Sequence, residues 1–364
     1  MRYDFAVIGG GIAGASLAAE LAPHASVVLL EAEDVPGYHS TGRSAAFWHE
    51  TLGGPVVQPL TTASLETLAD GGFLTPRVSL NVAEAGNEPL LDALEARFAG
   101  TGVRLERVDA AGVRVFVPRA KPTLVGGVVE VDCADIDVGG LHGSYVAALK
   151  KAGATLETNF RVERSAHDGA LWTISAHDRS VSAHTIVNAA GAWADPVAAL
   201  AGAKPLGITP LRRTIVQVRI DGDDVPADLP LTIDIAGTFY FRPEGSNRLW
   251  LCPHDETPVE PGDAAPEELD VAIAIDRFET VTDWRVVAVE RKWAGLRSFA
   301  PDRLPVYGMD RDVPNFFWCA GQGGYGIQTA PAAARLAASA LLAQPPHPTV
   351  AHIDLQPFAP TRFS

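Results

Sequence analysis

The N-terminal stretch that decides the fold reads Phe5-Ala6-Val7-Ile8-Gly9-Gly10-Gly11-Ile12-Ala13-Gly14. Its apolar run, residues 5–8, is bounded by glycine, which predicts a buried parallel strand. Residues 15–21 follow with helical spacing and high helix propensity, and Pro23 ends the predicted helix. A second apolar run at residues 27–30 predicts another strand and ends in Glu31. This order of strand, glycine turn, helix and strand is typical of an α/β fold.

The glycines follow the spacing G-x-G-x-x-G, and each has a physical task in holding a dinucleotide. Gly9 allows the tight turn, Gly11 lets a pyrophosphate approach the backbone, and Gly14 lets the helix pack closely against the strand. The first helical amides, around Ile12 and Ala13, and the positive end of the helix dipole point at the phosphates. The alternative is a glycine-rich turn in an unrelated α/β protein, which needs neither the strand before nor the helix after the motif.

Glu31 stands at the end of the second predicted strand, where its carboxylate can accept hydrogen bonds from ribose hydroxyls. A carboxylate at this place also repels a 2′-phosphate, which disfavours NADP. The strand, the turn, the helix and the acid together predict a dinucleotide site.

The chain has 364 residues, of which 47% are hydrophobic and 20% charged, so a mainly disordered protein is excluded. Its 29 Lys and Arg against 44 Asp and Glu give a net charge of -15, which argues against a nucleic-acid partner. The 3 cysteines are far apart, so we expect neither a disulfide framework nor a metal site. Since the sequence shows no signal peptide and no transmembrane segment, we expect a cytoplasmic protein.

Three further segments are suited to nucleotide contacts. The loop at residues 36–46 carries small hydroxyl residues and one arginine and is expected to lead into a helix; its candidate contacts are Ser40, Thr41, Gly42, Arg43, Ser44 and Ala45. In it, Arg43 pairs with phosphate or orients the loop. A buried strand at residues 185–189 breaks at small residues, and a strand at residues 316–320 runs into the glycine loop 321–326 and a helix from about Pro331.

These motifs resemble the D-amino-acid oxidase superfamily of FAD-dependent oxidoreductases, and most of all its D-arginine-type D-amino-acid dehydrogenases. The resemblance extends over essentially the whole chain. It rests on the glycine motif at residues 9–14, on Glu31, and on residues 37–44, 187–193, 293–297 and 323–326, in the family's order.

The resemblance implies an α/β fold with a glutathione-reductase-type Rossmann domain for FAD and a substrate domain with a mainly antiparallel β-sheet. The FAD domain would be discontinuous, comprising residues 1–75, 130–206 and 300–364. The substrate domain would comprise residues 76–129 and 207–299. Further FAD contacts implied by the resemblance are Val162, Ala190, Gly191, Trp193, Arg297, Gly323, Gly324, Tyr325, Gly326 and Ile327.

On the substrate side, the resemblance assigns Arg297 to the substrate carboxylate, which its planar guanidinium can bind through two hydrogen bonds. Tyr240 matches a tyrosine that holds the same carboxylate, and Arg213 matches a second arginine close to the pocket. Gly324 belongs to the glycine loop beside them. Each residue also has an ordinary structural interpretation. Either arginine can form a surface ion pair, and the tyrosine can be an aromatic side chain of a β-sheet.

The chain departs from its arginine-specific relatives at three pocket positions. Phe47 replaces their histidine, Leu52 replaces their tyrosine, and Ser79 replaces the acid that pairs a cationic side chain. The loss of that acid predicts a neutral or apolar substrate side chain. His49 lies nearby and is able to compensate for the missing histidine, but a solvent-facing histidine on a helix is the interpretation that we favour from the sequence.

The resemblance implies oxidative deamination of a D-amino acid by hydride transfer from Cα to flavin N5, giving an imino acid and then a 2-keto acid. We expect non-covalent FAD, because no cysteine lies in the segment Lys292-Trp293-Ala294 that carries it in covalently flavinylated relatives. Electrons pass on to O2 or to a carrier. Three alternatives stay open: a sarcosine or secondary-amine oxidase, a 2-hydroxy acid dehydrogenase, and an FAD-bearing subunit with an assembly or electron-relay role.

Overall fold

Two β-sheets organise the chain, and the computed structural model describes them over residues 2–222 and 225–363. The strands are β1 (Arg2–Ile8), β2 (Val27–Leu30), β3 (Phe47–His49), β4 (Leu74–Glu84), β5 (Leu105–Asp109), β6 (Leu124–Ile136), β7 (Thr155–Glu157), β8 (Arg164–His167), β9 (Trp172–Ala176), β10 (Arg179–Asn188), β11 (Thr209–Ile220), β12 (Leu231–Asp234), β13 (Tyr240–Pro243), β14 (Arg248–Cys252), β15 (Thr257–Pro258), β16 (Val286–Phe299), β17 (Val306–Met309), β18 (Phe316–Ala320) and β19 (Gln322–Gly323). The helices are α1 (Ile12–Leu21), α2 (Gln58–Asp70), α3 (Glu88–Phe98), α4 (Ala110–Phe116), α5 (Val138–Lys151), α6 (Ala194–Leu200), α7 (Glu268–Val281) and α8 (Gly326–Leu342).

The first sheet has the order β17-β18-β10-β1-β2-β7, in which all strands except the edge strand β17 run parallel. Its strands are apolar on both faces, as a buried parallel sheet requires. Val7 of β1 joins one core with α1, α5 and α8, whereas its neighbour Ala6 joins a second core with α6 on the opposite face. Helices therefore cover both faces of the sheet.

The second sheet has the order β19-β16-β11-β14-β13-β12-β4-β6-β3 and is antiparallel except where β12 runs parallel to β4. Helices α4 and α7 pack on it through side chains such as Val113 and Phe278. The expected fold class, an α/β protein whose second part carries a mainly antiparallel sheet, is confirmed.

The predicted domain boundaries stay a prediction. All strands of the first sheet lie within residues 1–75, 130–206 and 300–364. The boundaries after residues 75 and 129, however, fall inside the continuous strands β4 and β6.

Three local expectations need correction. The loop at residues 36–46 leads into strand β3 rather than a helix, because residues 47–49 pair with β6. Helix α8 begins at Gly326 and contains Pro331, whose missing hydrogen bond is offset by the buried apolar packing of the helix. The period-two alternation of residues 211–220 predicts a half-solvated strand, but β11 is buried on both faces, because Val216 packs in the core under α7 and Ile215 packs in a cluster on the opposite face.

The turn between β1 and α1 holds the helix unusually close to the strand. Gly9 has a φ of +107°, a conformation that favours glycine. A Cβ on Gly14 would lie 1.9 Å from the carbonyl oxygen of Gly9, so no side chain fits there. The backbone contact between these two glycines fixes where α1 begins.

Substitution of Gly14 tests this contact. We expect Gly14→Ala to lower the free energy of unfolding by about 3 kcal/mol, because overpacking must displace the backbone. The matched control is Gly143→Ala in α5, where a Cβ meets nothing within 4 Å. That control should stabilise by about 1 kcal/mol, through helix propensity. Urea unfolding measures both changes, and an unchanged Gly14→Ala protein would contradict the close approach.

Candidate active site

Two adjoining cavities lie where the two sheets meet. One has a volume of about 360 Å³ and lies at the carboxyl ends of β1 and β2, and the other has about 690 Å³ and lies against the second sheet. The residues that line both are Ile12, Ser40, Thr41, Leu296, Gln322 and Gly323. The two cavities therefore share a wall and lie side by side, an arrangement that suits an extended ligand with two chemically different ends.

The start of α1 faces the smaller cavity. The residue before the helix is Gly11, which has no side chain that could act as a cap. The Ile12 amide donates to the Thr41 Oγ1 atom over 2.9 Å, which ties the loop at residues 36–46 to the helix start. The remaining amides of this first turn fit a pyrophosphate, because helix-start amides and the helix dipole favour negative charge.

Glu31 lines the same cavity at the end of β2. One of its carboxylate oxygens accepts from the Gly10 amide over 2.7 Å, and the other accepts from the Glu33 amide over 2.8 Å. These bonds hold the carboxylate in place and leave lone pairs for ribose hydroxyls.

Of the expected FAD contacts, Gly9, Gly11, Ile12, Ala13, Glu31, Ser40, Thr41, Val162, Ala190, Gly191, Trp193 and Gly323 line the smaller cavity. Those that line the larger cavity are Ile12, Ser40, Thr41, Arg43, Ser44, Ala45, Arg297, Gly323, Gly324, Tyr325, Gly326 and Ile327. Gly14 and Gly42 line neither cavity and have packing positions, Gly14 against Gly9 and Gly42 against Gly37. The individual FAD contacts stay predictions.

The larger cavity contains the start of α8, which no side chain caps. Tyr325 precedes this helix and donates its hydroxyl to the Arg303 carbonyl. Burial raises the pKa of Tyr325 to about 12, so its hydroxyl stays protonated. This helix start fits negative charge on a bound ring system, as the first helix start fits phosphate.

Arg297 lies on β16 and lines the larger cavity. Among the described residues, no carboxylate pairs with its guanidinium and no side chain or carbonyl accepts from it. Burial, and next the nearby charge of Arg213, lowers the pKa of Arg297 to about 10. A Cβ on Gly324 would lie 3.0 Å from the guanidinium carbon, so glycine makes room for this side chain. A cation held without a partner in a cavity is a site for an anion.

Arg213 and Tyr240 line the cavity beside Arg297, as expected. Arg213 donates to the Asp255 carbonyl over 2.8 Å and to Glu256 over 3.0 Å, yet its buried Nη1 atom has no partner. Burial raises the pKa of Tyr240, whose ring packs edge-on against His254 at 5.8 Å. The structure therefore brings the three predicted substrate residues to one wall.

Phe47 and Leu52 line the cavity and form an apolar region, in agreement with the sequence analysis, together with Ile215, Leu231 and Ile233. Ser79 does not: it is fully buried and does not line the cavity. Its hydroxyl lies 2.9 Å from the Nε2 atom of His49, which stands between it and the cavity.

The guanidinium of Arg43 points away from the phosphate site. It donates to the carbonyls of Ala264 and Ala294 over 3.0 and 3.2 Å and pairs with Asp263. Ser40 similarly donates to the Leu296 carbonyl over 2.7 Å. Of the two roles considered for Arg43, the structure supports orientation of the loop.

His49 corrects the sequence interpretation most clearly. It lies on strand β3, not on a helix, and is buried with 4% of its surface exposed. Its Nε2 atom is 3.0 Å from the carboxylate of Glu130, a residue that the sequence analysis missed. The signal for Glu130 was a single acid inside the apolar run at residues 128–131.

The next three findings are made of the described residues alone. Within residues 2–222 and 225–363, no group of His, Cys, Asp and Glu could hold a metal ion, and no cysteine lines either cavity. Over the same ranges, every helix is too short or too polar to cross a membrane.

Residues 4–340 match the family described as FAD dependent oxidoreductase (DAO), so the chain belongs to this family. FAD is its cofactor, and the expectation of FAD is confirmed. The start of α1, the glycine turn and Glu31 are the features of this chain that fit the group.

The fold is also that of two solved oxidoreductases. The glycine oxidase of Geobacillus kaustophilus superposes with a TM-score of 0.85 at 23% identity, covering 99% of each chain. The L-proline dehydrogenase of P. horikoshii also gives 0.85, at 19% identity, covering 100% of this chain and 98% of that one. At such identities the likeness shows the fold alone.

Among curated relatives, the FAD-dependent oxidoreductase domain-containing protein 1 of Xenopus laevis is 30% identical over 46% of this chain and 36% of its own length. The chain spans 36% to 55% of the length of the first curated relatives that it matches.

The His254 imidazole on the cavity wall gives a test by pH. Burial, and next Arg213 and Arg297, lowers its pKa from 6.5 to about 3. The unfolded chain takes up a proton as pH falls through 6.5 and the folded chain does not, so stability is lost as pH falls. Because this histidine is protonated only in the unfolded chain over this range, we expect it to lower the free energy of unfolding by about 2 kcal/mol between pH 7 and pH 5.

The variant for this test is His254→Asn, because asparagine tolerates the positive φ of this position. Urea unfolding at both pH values should show the extra loss in the parent protein and not in the variant. Equal losses in the two proteins would contradict a neutral, buried imidazole.

Proposed function

We propose that this protein is an FAD-dependent enzyme that oxidatively deaminates a D-amino acid with a neutral or apolar side chain. The observation that carries the proposal is the unpaired guanidinium of Arg297 in the larger cavity, which adjoins the predicted FAD site. The names of the two solved neighbours, a glycine oxidase and an L-proline dehydrogenase, support an amino-acid substrate. The D configuration rests on the sequence resemblance to D-arginine-type dehydrogenases.

The substrate carboxylate would bind between Arg297 and Tyr240. A guanidinium offers two parallel N–H groups to a carboxylate, and the phenol offers one further donor. Arg213 adds positive charge from the same wall, although Glu256 already pairs with part of it. Burial of this group strengthens its attraction for an anion, because little water screens it.

The preference for a neutral side chain follows from the acids of the cavity. Among the described lining residues the acids are Glu256 and Asp302. Glu256 pairs with Arg213 and Arg303, and Asp302 pairs with Arg362 over 2.7 Å. No carboxylate among these lining residues is therefore left for an ammonium or guanidinium side chain, and the apolar wall around Phe47 favours a hydrocarbon.

FAD, when bound, supplies an acceptor for the hydride that leaves the substrate Cα. The protein's share is to hold the carboxylate, to fix the orientation of Cα and to exclude water from the apolar region around Phe47 and Leu52. The absence of a cysteine from the described lining supports non-covalent FAD. The electron acceptor is O2 or a carrier.

An anaerobic screen tests the function. The holoenzyme is mixed with both enantiomers of neutral, acidic and basic amino acids, with N-methylated glycines and with 2-hydroxy acids, and flavin absorbance is followed. We expect neutral D-amino acids to bleach the flavin fastest. Fastest bleaching by an N-methylglycine or a 2-hydroxy acid would overturn the proposal in favour of that class, and no bleaching at all would favour an assembly or relay role.

Arg297→Ala tests the carboxylate site. Loss of a charged hydrogen-bonding partner of a buried anion should lower the second-order rate of flavin reduction by about 100-fold or more. The matched control is Arg291→Ala, on the same strand but exposed and outside both cavities. It should reduce at the parent rate. Equal rates for Arg297→Ala and the parent would refute the assignment.

A further inference from the structure

His49 is placed on the cavity wall by the alternation of strand β3. Phe47 and His49 lie two residues apart and face the larger cavity, which both of them line. Trp48 points to the opposite side and donates its indole N–H to the Thr61 carbonyl over 2.9 Å. The backbone of His49 is fixed as well: its amide donates to Gln328 over 3.2 Å, and its carbonyl accepts from Gln328 over 3.1 Å.

Behind His49 lies a fully buried carboxylate, that of Glu130 on β6. Besides the Nε2 atom of His49, it contacts the Glu50 amide over 2.6 Å and the Thr51 hydroxyl over 2.7 Å. Burial by itself would raise the pKa of Glu130, but the charge of His49 when it is protonated, its hydrogen bond and these donors lower it below the ordinary value. Glu130 is thus an anion held beside an imidazole.

A β-bulge brings these two groups to one face. Arg77 of β4 pairs with Cys133 of β6, and Ser79 of β4 pairs with Glu130 of β6. Two steps along β4 therefore match three along β6, so β6 carries one extra residue at this place. In a regular strand, Glu130 and Cys133 would project to opposite faces, since they are three residues apart. The extra residue puts Glu130 on the side of Cys133, whose partner across the sheet is His49.

The Nδ1 atom of His49 is left for the cavity. Its Nε2 atom has three neighbours, which are Glu130, Ser79 at 2.9 Å and Thr51 at 3.2 Å. Its Nδ1 atom has no hydrogen-bond partner among the described residues. This atom is also not fully buried. Because His49 lines the larger cavity, this nitrogen is accessible from the same space as Arg297.

We propose that His49, oriented by Glu130, is the residue that takes the proton from the substrate's ammonium group. The inference rests on the proposed oxidation of an amino acid. The arrangement fits because the carboxylate holds Nε2 as the N–H end of the ring, so Nδ1 presents its lone pair to the cavity. Glu130 is a positioning residue and also stabilises the imidazolium that forms.

The proposed step is a proton transfer. The ammonium N–H bond breaks, its proton passes to Nδ1 of His49, and the electron pair stays on the amino nitrogen. Only this neutral amine can donate its electron pair to Cα as the hydride leaves, because an ammonium group has no free pair. FAD, the established cofactor of the family, is the oxidant.

The charged groups around His49 are few. From β6 it faces Glu130 and Cys133, and burial raises the pKa of the Cys133 thiol well above its ordinary value, so the thiol stays neutral. The adjoining Glu50 carboxyl also has a pKa raised by burial. Ser79 and Gln328, from β4 and α8, carry no charge. Glu130 is the carboxylate that contacts the His49 ring directly, at 3.0 Å, and its removal should disfavour the imidazolium.

The test is anaerobic flavin reduction by the best amino acid as a function of pH, in the holoenzyme and in His49→Gln. The variant should be roughly 100-fold slower at neutral pH. Its rate should rise about tenfold per pH unit up to the pKa of the free ammonium group, because only the deprotonated substrate reacts. The parent should instead reach a plateau at lower pH. A fluorinated analogue with a less basic amine should restore most of the variant's rate.

Two further variants separate this role from a structural one. Glu130→Gln keeps the shape of the side chain and should move the plateau of the pH profile to lower pH, since the imidazolium loses its counter-charge. His177→Gln removes a surface histidine paired with Glu163 at 2.8 Å and should leave the profile unchanged. Flavin spectra and thermal unfolding of each variant identify any that fails to fold.

The outcomes are distinct. If His49→Gln and the parent have the same pH profile, or if the variant is slowed equally at every pH, His49 does not accept the proton, although the proposed function stands. If no amino acid reduces the parent flavin, the proposed function fails and the assignment of His49 fails with it.

Discussion

The structure depends on one backbone contact, the approach of α1 to the end of β1 at Gly9 and Gly14. With a Cβ position on Gly14 only 1.9 Å from the Gly9 carbonyl, the helix can start nowhere else relative to the sheet. Its first turn therefore faces the cavity beside Glu31, and the Thr41 side chain, which accepts from the Ile12 amide, ties the loop at residues 36–46 to it. The predicted FAD site and the larger cavity are both positioned from this point.

Strand β16 connects that site with the substrate wall, which is the part of the larger cavity formed by Arg297, Arg213 and Tyr240. Its last residues, Leu296 to Phe299, line the two cavities and, like the strand before them, pair with β11 in the second sheet. Arg297 is thus carried by a long, paired strand and not by a loop. A rigid strand suits a guanidinium that has to stay in place without a protein partner. If the guanidinium could move to a carboxylate of the protein, the two would pair and it could no longer bind a ligand.

The substrate wall and the His49 wall differ in their electrostatics. Arg297, Arg213 and the neutral His254 present positive charge and donors, whereas His49 presents a nitrogen backed by the carboxylate of Glu130. An amino acid in its zwitterionic form has one charge of each sign. A cavity with a cationic wall and a carboxylate-backed imidazole is complementary to both.

The sequence by itself determined the βαβ start, the glycine loops, Glu31 and the residues of the substrate wall. These depend on local spacing and on motifs that keep their order along the chain. It missed the strand at residues 47–49, the burial of His49 and the place of Ser79. Those depend on pairing between β3, β4 and β6, which are far apart in sequence. The bulge in β6 was decisive, because one extra residue reverses the face to which Glu130 points, and no pattern within that strand records it.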